Sequence, residues 1–300
     1  MKIMNKKLLF KASFEESVNL EDDTASRSFI ERNLEEAQKK EKYRGTVKSY
    51  VWTVILTVLF IFGPNWLLYK GSHNIFGHVE NKLIQPAIHN FLPSWVFLLL
   101  LGSIWLLIIL IGKRFYQQFI LIYRGQFHLF VTYFLWLLIE WNLFCLTGFF
   151  STLGSLGTVS FLIVDFYLVY LIFRNRCKNL LNLMYGDEAI SKANDLISKI
   201  INHLMVLLGL FSLFWLFFKT FFTFRIEVGN ILSILGLIGL WFSVNIIFAF
   251  YESYIILPFM LRGFYRLKYP EEYREWEGKR LEEWYGKRYL KKHKELLNNE

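Results

Sequence analysis

Apolar residues along the chain gather into six long runs, separated by charged or turn-forming stretches: 47–69, 94–112, 128–150, 157–173, 203–222 and 231–261. Each approaches the ~20 residues that a helix needs to cross ~30 Å of hydrocarbon. The pattern predicts an all-α fold, a polytopic transmembrane helix bundle of about six spans with short amphipathic helices in both tails. The fourth run is short at 17 residues, and the sixth has 31. As a helix the sixth would be about 46 Å long, so it must tilt or protrude, and Pro258 is expected to mark its emerging end. Ser-Thr-Leu-Gly-Ser-Leu-Gly at 151–157 reads as the closure of a hairpin between spans three and four.

The polar stretches divide the chain into an N-terminal charged tail (1–46), the membrane domain (47–261) and a basic, Trp-rich C-terminal tail (262–300). In the first tail, Ser28 with Glu31 has the spacing of a capping box and Gly45 that of a stop, so a helix is expected near 29–44. Residues 187–202 form a second amphipathic stretch, with Ile190, Ala193, Ile197, Ile200 and Ile201 at helical spacing. Between spans one and two, Leu83, Ile84, Ala87, Ile88, Phe91 and Leu92 would share one helical face, predicting a segment that skims the membrane, with Trp95 at the interface. The C-terminal tail carries one phrase twice, Glu-Trp-x-Gly-Lys-Arg at 275–280 and 283–288. Pro270 suits a first helical position and Glu271 and Glu272 the first turn. Gly278 and Gly286 should then break the segment into helix, turn, helix.

Composition agrees with a chain dissolved in lipid: 54% of residues are hydrophobic and 19% aromatic. The first 46 residues contain no early apolar core, so no cleavable secretory signal is expected. Lys and Arg resist translocation, and their placement sets the orientation. Lys113, Arg114 and Arg124 occupy the loop 113–127, while Arg174, Arg176, Lys178, Lys192 and Lys199 occupy 174–202. The opposite loops hold only Lys70, Lys82 and Arg225. Both termini are therefore expected in the cytosol, at what reads as a bacterial cytoplasmic membrane. The net charge of +9 is clustered beside apolar segments, which points to anionic headgroups as partners rather than nucleic acid. The two cysteines, Cys145 and Cys177, form no disulfide framework and no metal motif.

Charge at membrane depth is costly and marks candidate sites. Glu140 and Asp165 fall at similar depths on either side of the 151–157 turn, about 15 and 12 Å from it. If they faced one another, both could not stay ionised, which is the chemistry of a proton or cation relay. Lys219, three residues from the outer end of span five, could instead reach Asp165 in a structural ion pair. Glu140 could equally hydrogen-bond Asn142, Asn245 or a tyrosine. Glu252 should lie near the inner interface, where Arg262 or loop cations would neutralise it. Ser233, Gly236, Gly239 and Ser243 recur at three- to four-residue spacing, a helix-packing seam that would serve within the protein or between copies in a homo-oligomer.

In the tail, Trp276, Lys279 and Arg280 of the first phrase and Trp284, Lys287 and Arg288 of the second combine an indole with paired cations. That combination suits docking to an anionic membrane surface or to a partner. The tail's eight acidic residues dilute the attraction of its eleven cations. They suit a self-packed cap in which Glu275 pairs with Lys279 and Glu283 with Lys287. His73, His78 and His89 with Glu80 match no compact ligand signature, so no metal site is expected. No phosphate-binding glycine loop, His-Glu-x-x-His or Gly-x-Ser-x-Gly occurs, and no cofactor or enzymatic activity is expected. Gly63-Pro64 interrupts span one without a counterpart in span four, as an inverted-repeat transporter would have. The sequence thus reads as a non-enzymatic membrane scaffold or accessory protein that engages a protein partner through its cytosolic tails. The alternative is a proton- or cation-coupled transporter or channel using Glu140 and Asp165.

Overall fold

The computed structural model describes residues 8–41, 62–76, 85–186 and 231–299, together with Val51 and Ile55. These form α1 (Phe14–Val18), α2 (Thr24–Glu41), α3 (Gly63–Ile75), α4 (Ser94–Arg114), α5 (Leu121–Gln126), α6 (Leu135–Tyr185), α7 (Ile231–Tyr251), α8 (Leu257–Lys268), α9 (Pro270–Trp276), α10 (Leu281–Tyr285) and α11 (Lys287–Leu290). Two wider, π-helical stretches, Phe127–Phe134 and Glu252–Ile256, run directly into α6 and α8. No strand forms among the described residues; a single isolated bridge joins Phe76 to Ala87.

Among the described residues, three helical stretches are long and apolar enough to cross a membrane: Ser94–Ile111, Gln118–Tyr185 and Ile234–Lys268. The second folds back on itself. Gly154 takes φ 69° and ψ 171°, a conformation open to glycine but not to a helical L-residue. A straight helix would set Asn142 and Asp165 about 34 Å apart, yet both hydrogen-bond Asn245, each at 2.9 Å. The predicted hairpin is thus present, with arms 135–153 and 155–185.

Contacts fix the relative directions of the rods. Phe62 stacks on Trp105 and Tyr69 on Phe97, so α3 and α4 run antiparallel. A Cβ on Gly71 would meet the Phe144 ring at 2.9 Å, and Ser72 lies 3.4 Å from Thr147, so α3 runs parallel to the first arm. Trp241 stacks on Phe149 of the first arm and packs on Phe161 of the second. Combined with the Asn245 bonds, this makes α7 antiparallel to the first arm and parallel to the second. Of the expected first span, 47–69, residues 47–61 lie outside the described residues apart from Val51 and Ile55, as do the span at 203–222 and the amphipathic stretch 187–202.

Three expectations change. The N-terminal helix starts at Thr24, not near 29: the Asp23 carboxylate accepts bonds from the Ser26 backbone (3.2 Å) and hydroxyl (2.6 Å), taking the capping role assigned to Ser28. The chain does not end its last long helix at Pro258. The π-helical turn before it absorbs the disrupted ladder, and Pro258 sits in the first turn of α8, where its missing N–H costs nothing. Residues 85–93 are not helical. From Gln85 to Pro93 the backbone runs along the first arm, donating from Gln85, Ile88 and Phe91 to the hydroxyls of Thr152, Ser151 and Thr147.

The largest buried apolar cluster lies beyond the rods, at the end where α1, the 118–120 turn, the last turns of α6, α8 and the C-terminal tail converge. Leu20, Leu180, Met184, Leu261, Tyr265, Tyr273, Trp284 and Tyr285 meet there. Both tails are therefore parts of one cap on one end of the bundle.

Candidate functional site

The duplicated phrase is built into this cap, and its two copies have different surroundings. Helix α9 ends in a Schellman motif: Lys279 N–H donates to the Arg274 carbonyl and Gly278 N–H to that of Glu275, both at 3.0 Å, with Gly278 at φ 62°. Arg274 braces the turn from below, bonding Glu271 at 2.7 Å and the Lys279 carbonyl at 3.2 Å. Gly286 ends α10 at φ 84°, and a Cβ there would also press on Gln118 at 3.3 Å. Between these breaks α10 turns Trp284 inward. It is 4% exposed and stacks on Phe119 with centroids 4.6 Å apart and planes 10° apart. Trp276, by contrast, is 51% exposed. Lys279, Arg280, Lys287 and Arg288 all face outward. The expected pairs Glu275–Lys279 and Glu283–Lys287 are replaced: Glu275 lies 3.6 Å from Arg274, Glu283 pairs with Arg280 at 2.8 Å, and Lys287 with Glu282 at 3.3 Å. The glycine turns interrupt the helical register that i,i+4 pairing needs.

Glu271 joins the two short helices. Its carboxylate accepts from the Tyr285 hydroxyl at 2.6 Å. Burial alone would raise its pKa, but the bonds from Tyr285 and Arg274 outweigh this and leave it below the usual carboxylate value. The same contact, after burial, pushes the Tyr285 hydroxyl up.

Beneath the phrase lies a set of buried charges that sequence reasoning missed. Arg176, from the end of the second arm, holds both Asp23 oxygens at 2.7 and 2.8 Å with each side chain 6% exposed, and its guanidinium lies over the Tyr254 ring. Arg262 bonds Glu21 at 2.8 Å and the Leu20 carbonyl. Arg266 bonds Glu277 at 2.6 Å and the Tyr123 hydroxyl. Three arginines thus tie the N-terminal segment, the loop helix α5, the hairpin and the C-terminal tail into one network. The signal was available as an acidic Glu-Asp-Asp at 21–23 facing Arg262 and Arg266 in a chain with both tails on one side. Its correction touches Glu252, whose expected partner Arg262 is engaged elsewhere. Glu252 is half-buried, and its Oε1 has no hydrogen-bond partner among the described residues.

Within the rods, a polar cluster joins three elements. Asn142 and Asn245 exchange side-chain bonds at 2.9 Å, Trp241 Nε1 donates to Asn142 at 2.7 Å, and Asn245 donates to Asp165 Oδ2 at 2.9 Å. Asp165 Oδ1 and Glu140 Oε2 are buried without a hydrogen-bond partner among the described residues. The two acids lie at similar heights but on different sides of the first arm. Glu140 shares its face with Phe144 and Thr147, which pack on α3, whereas Asn142, some 200° around the helix, faces Asp165. Lys219 lies outside the described residues. In the small-residue seam, the Ser233 side chain is not described, Ser243 is half-buried, and Gly236 and Gly239 are exposed with no described neighbour within reach of a Cβ.

Among the described residues no group of three or more His, Cys, Asp or Glu could hold a metal. His73 packs on Tyr69 and His89 against Phe91 and Phe150, while His78 and Glu80 lie outside the described residues. No protein family, curated protein or solved structure matches this chain.

Proposed function

We propose that this chain is a six-span membrane platform with both termini cytosolic, whose tails combine into a rigid cap that presents the first copy of the repeated phrase to an acidic protein partner. The exposed indole of Trp276 beside Lys279 and Arg280 carries the reading. A half-exposed Trp on a packed support, flanked by cations, has the composition of an interface anchor. Trp284 serves the support rather than the partner. The test is photo-crosslinking in cells from a reactive residue placed at position 276. A discrete adduct that disappears with Lys279→Glu/Arg280→Glu supports the platform, and no adduct in cells that fold and insert the protein overturns it. Removing the whole of 270–300 would not separate the roles, because that segment supplies Tyr273, Trp284 and Tyr285 to the core.

A second reading has its own support. Glu140 and Asp165 are 1% and 4% exposed, and among the described residues each keeps one oxygen without a hydrogen-bond partner, an arrangement expensive to hold in lipid unless it is used. A proton or cation relay would run through Asp165 and the Asn142–Asn245 pair. Dye-monitored proton flux in proteoliposomes decides it: loss of flux in Asp165→Asn and Glu140→Gln supports transport, and flux absent from the parent protein removes it.

A further inference from the structure

A second feature of the cap end is an open apolar groove of about 360 Å³, within the size range of small-ligand sites. Its walls include Phe115 after α4, Phe127 at the start of the π-helical stretch, Met260, Phe264 and Leu267 of α8, and Phe10 of the N-terminal segment. At its base Gly263 packs directly on Tyr123, so closely that a Cβ would lie 2.7 Å from the ring, and α8 and α5 meet there with no side chain between them. Phe10 and Phe264 meet edge to face at 5.1 Å on the rim and stay 54% and 37% exposed.

Among the described lining residues the charged one is a cation, Arg124. It donates to the Phe115 carbonyl at 2.6 Å, and the exposed Arg114 sits over the Phe115 ring. Lys268 bonds the Phe10 carbonyl at 3.3 Å on the N-terminal side. No Asp or Glu is among the described lining residues. The apolar run of α4 gives way to cations at this level, which is how a span meets the headgroup layer. An occupant from solvent would meet exposed aromatic rings, whereas one from the bilayer would bring hydrocarbon to the groove and phosphate to its basic rim.

We infer that this groove binds an anionic phospholipid, with an acyl chain against Met260, Phe264 and Leu267 and its phosphate held by Arg114 and Arg124. The site rests on the membrane reading but is independent of the Trp276 face and of Asp165. Nanodiscs of equal phosphatidylglycerol and phosphatidylcholine supply the probe, with lipid retained on the ejected protein read by native mass spectrometry. The parent protein should retain one phosphatidylglycerol in preference to phosphatidylcholine. Arg114→Ala should lower that preference about fivefold, the weight of one cation near an anionic surface. Met260→Trp/Leu267→Trp should remove the retained lipid, and Phe10→Ser, at an exposed rim position, should weaken it if the filled variant does not fold. Equal retention of the two lipids by the parent, or undiminished retention by a folded groove variant, overturns the site. Failure of the parent to enter nanodiscs would instead overturn the membrane reading.

Discussion

Buried charge is handled in two ways at the two levels of this protein. In the cap, Asp23 and Arg176 make a two-point contact under a tyrosine ring, and Arg262 and Arg266 each find a carboxylate. Between the rods, among the described residues, Asp165 is met by the Asn245 amide, and Glu140 Oε2 by no donor. A buried pair is strongly destabilising when one partner is lost, because the other charge is stranded. A carboxyl held by neutral partners leaves nothing stranded when it is neutralised. The difference separates charges that hold the architecture from charges that remain available for other work.

The comparison predicts where damage concentrates. Trp284→Ala removes a stacked, buried indole from the centre of the cap and should cost about 5 kcal/mol, the upper end for such truncations because the ring pair is lost as well. Denaturant unfolding in mild detergent should also show the N-terminal segment released together with the tail. Asp23→Ala should cost about 3–4 kcal/mol by stranding Arg176, and the double variant Asp23→Ala/Arg176→Ala should recover part of it. Additive losses would mean that the pair is not a unit. Asp165→Asn, read in the same assay, should change stability by less than about 1 kcal/mol, since an amide oxygen can still accept from Asn245. A large loss there would erase the contrast between the two levels.

The sequence made the rods legible and hid their joints. Apolar runs and the glycine-containing turn at 151–157 marked the hairpin because composition alone demands lipid burial and a reversal there. Pro270, Gly278 and Gly286 marked the tail helices because each acts through its own backbone. Pairings such as Asp23–Arg176, 153 residues apart, leave no local trace: an acidic triplet near the N-terminus looks solvated until the fold supplies its cations. The two copies of Glu-Trp-x-Gly-Lys-Arg were likewise indistinguishable as sequence. Only the positive-φ turn at Gly278 and the apposition of Phe119 decide which indole points inward.

The turns and the acid that join the copies give smaller effects. Gly286→Ala forces an L-residue to φ 84° and ψ 147°, a region essentially confined to glycine, against Gln118 and should cost about 1–3 kcal/mol. Glu271 is held below the ordinary carboxylate pKa by Tyr285 and Arg274. The stability it contributes is therefore fully present above the unfolded-state value and is lost as pH falls through the lower, folded one. Acid titration of Trp284 fluorescence should show the cap loosening in that range, and Glu271→Gln should remove this component. A loosening unchanged by Glu271→Gln would assign it to other carboxylates.

The smallest effect on folding is expected at the residue proposed to matter most for association. Trp276 meets the core ring of Tyr273 edge-on at 6.2 Å, and half of it faces solvent. Trp276→Ala should thus change stability by no more than about 0.5 kcal/mol, as exposed positions do. Hot-spot indoles cost a complex ~2 kcal/mol or more when truncated. A Trp276→Ala protein with parental unfolding but without the position-276 partner signal, examined with a second reactive position on the same face, would show the two copies doing separate jobs. If instead Trp276→Ala unfolds the cap as Trp284→Ala does, both indoles are structural, and the exposed one is a rim of the core rather than an anchor for a partner.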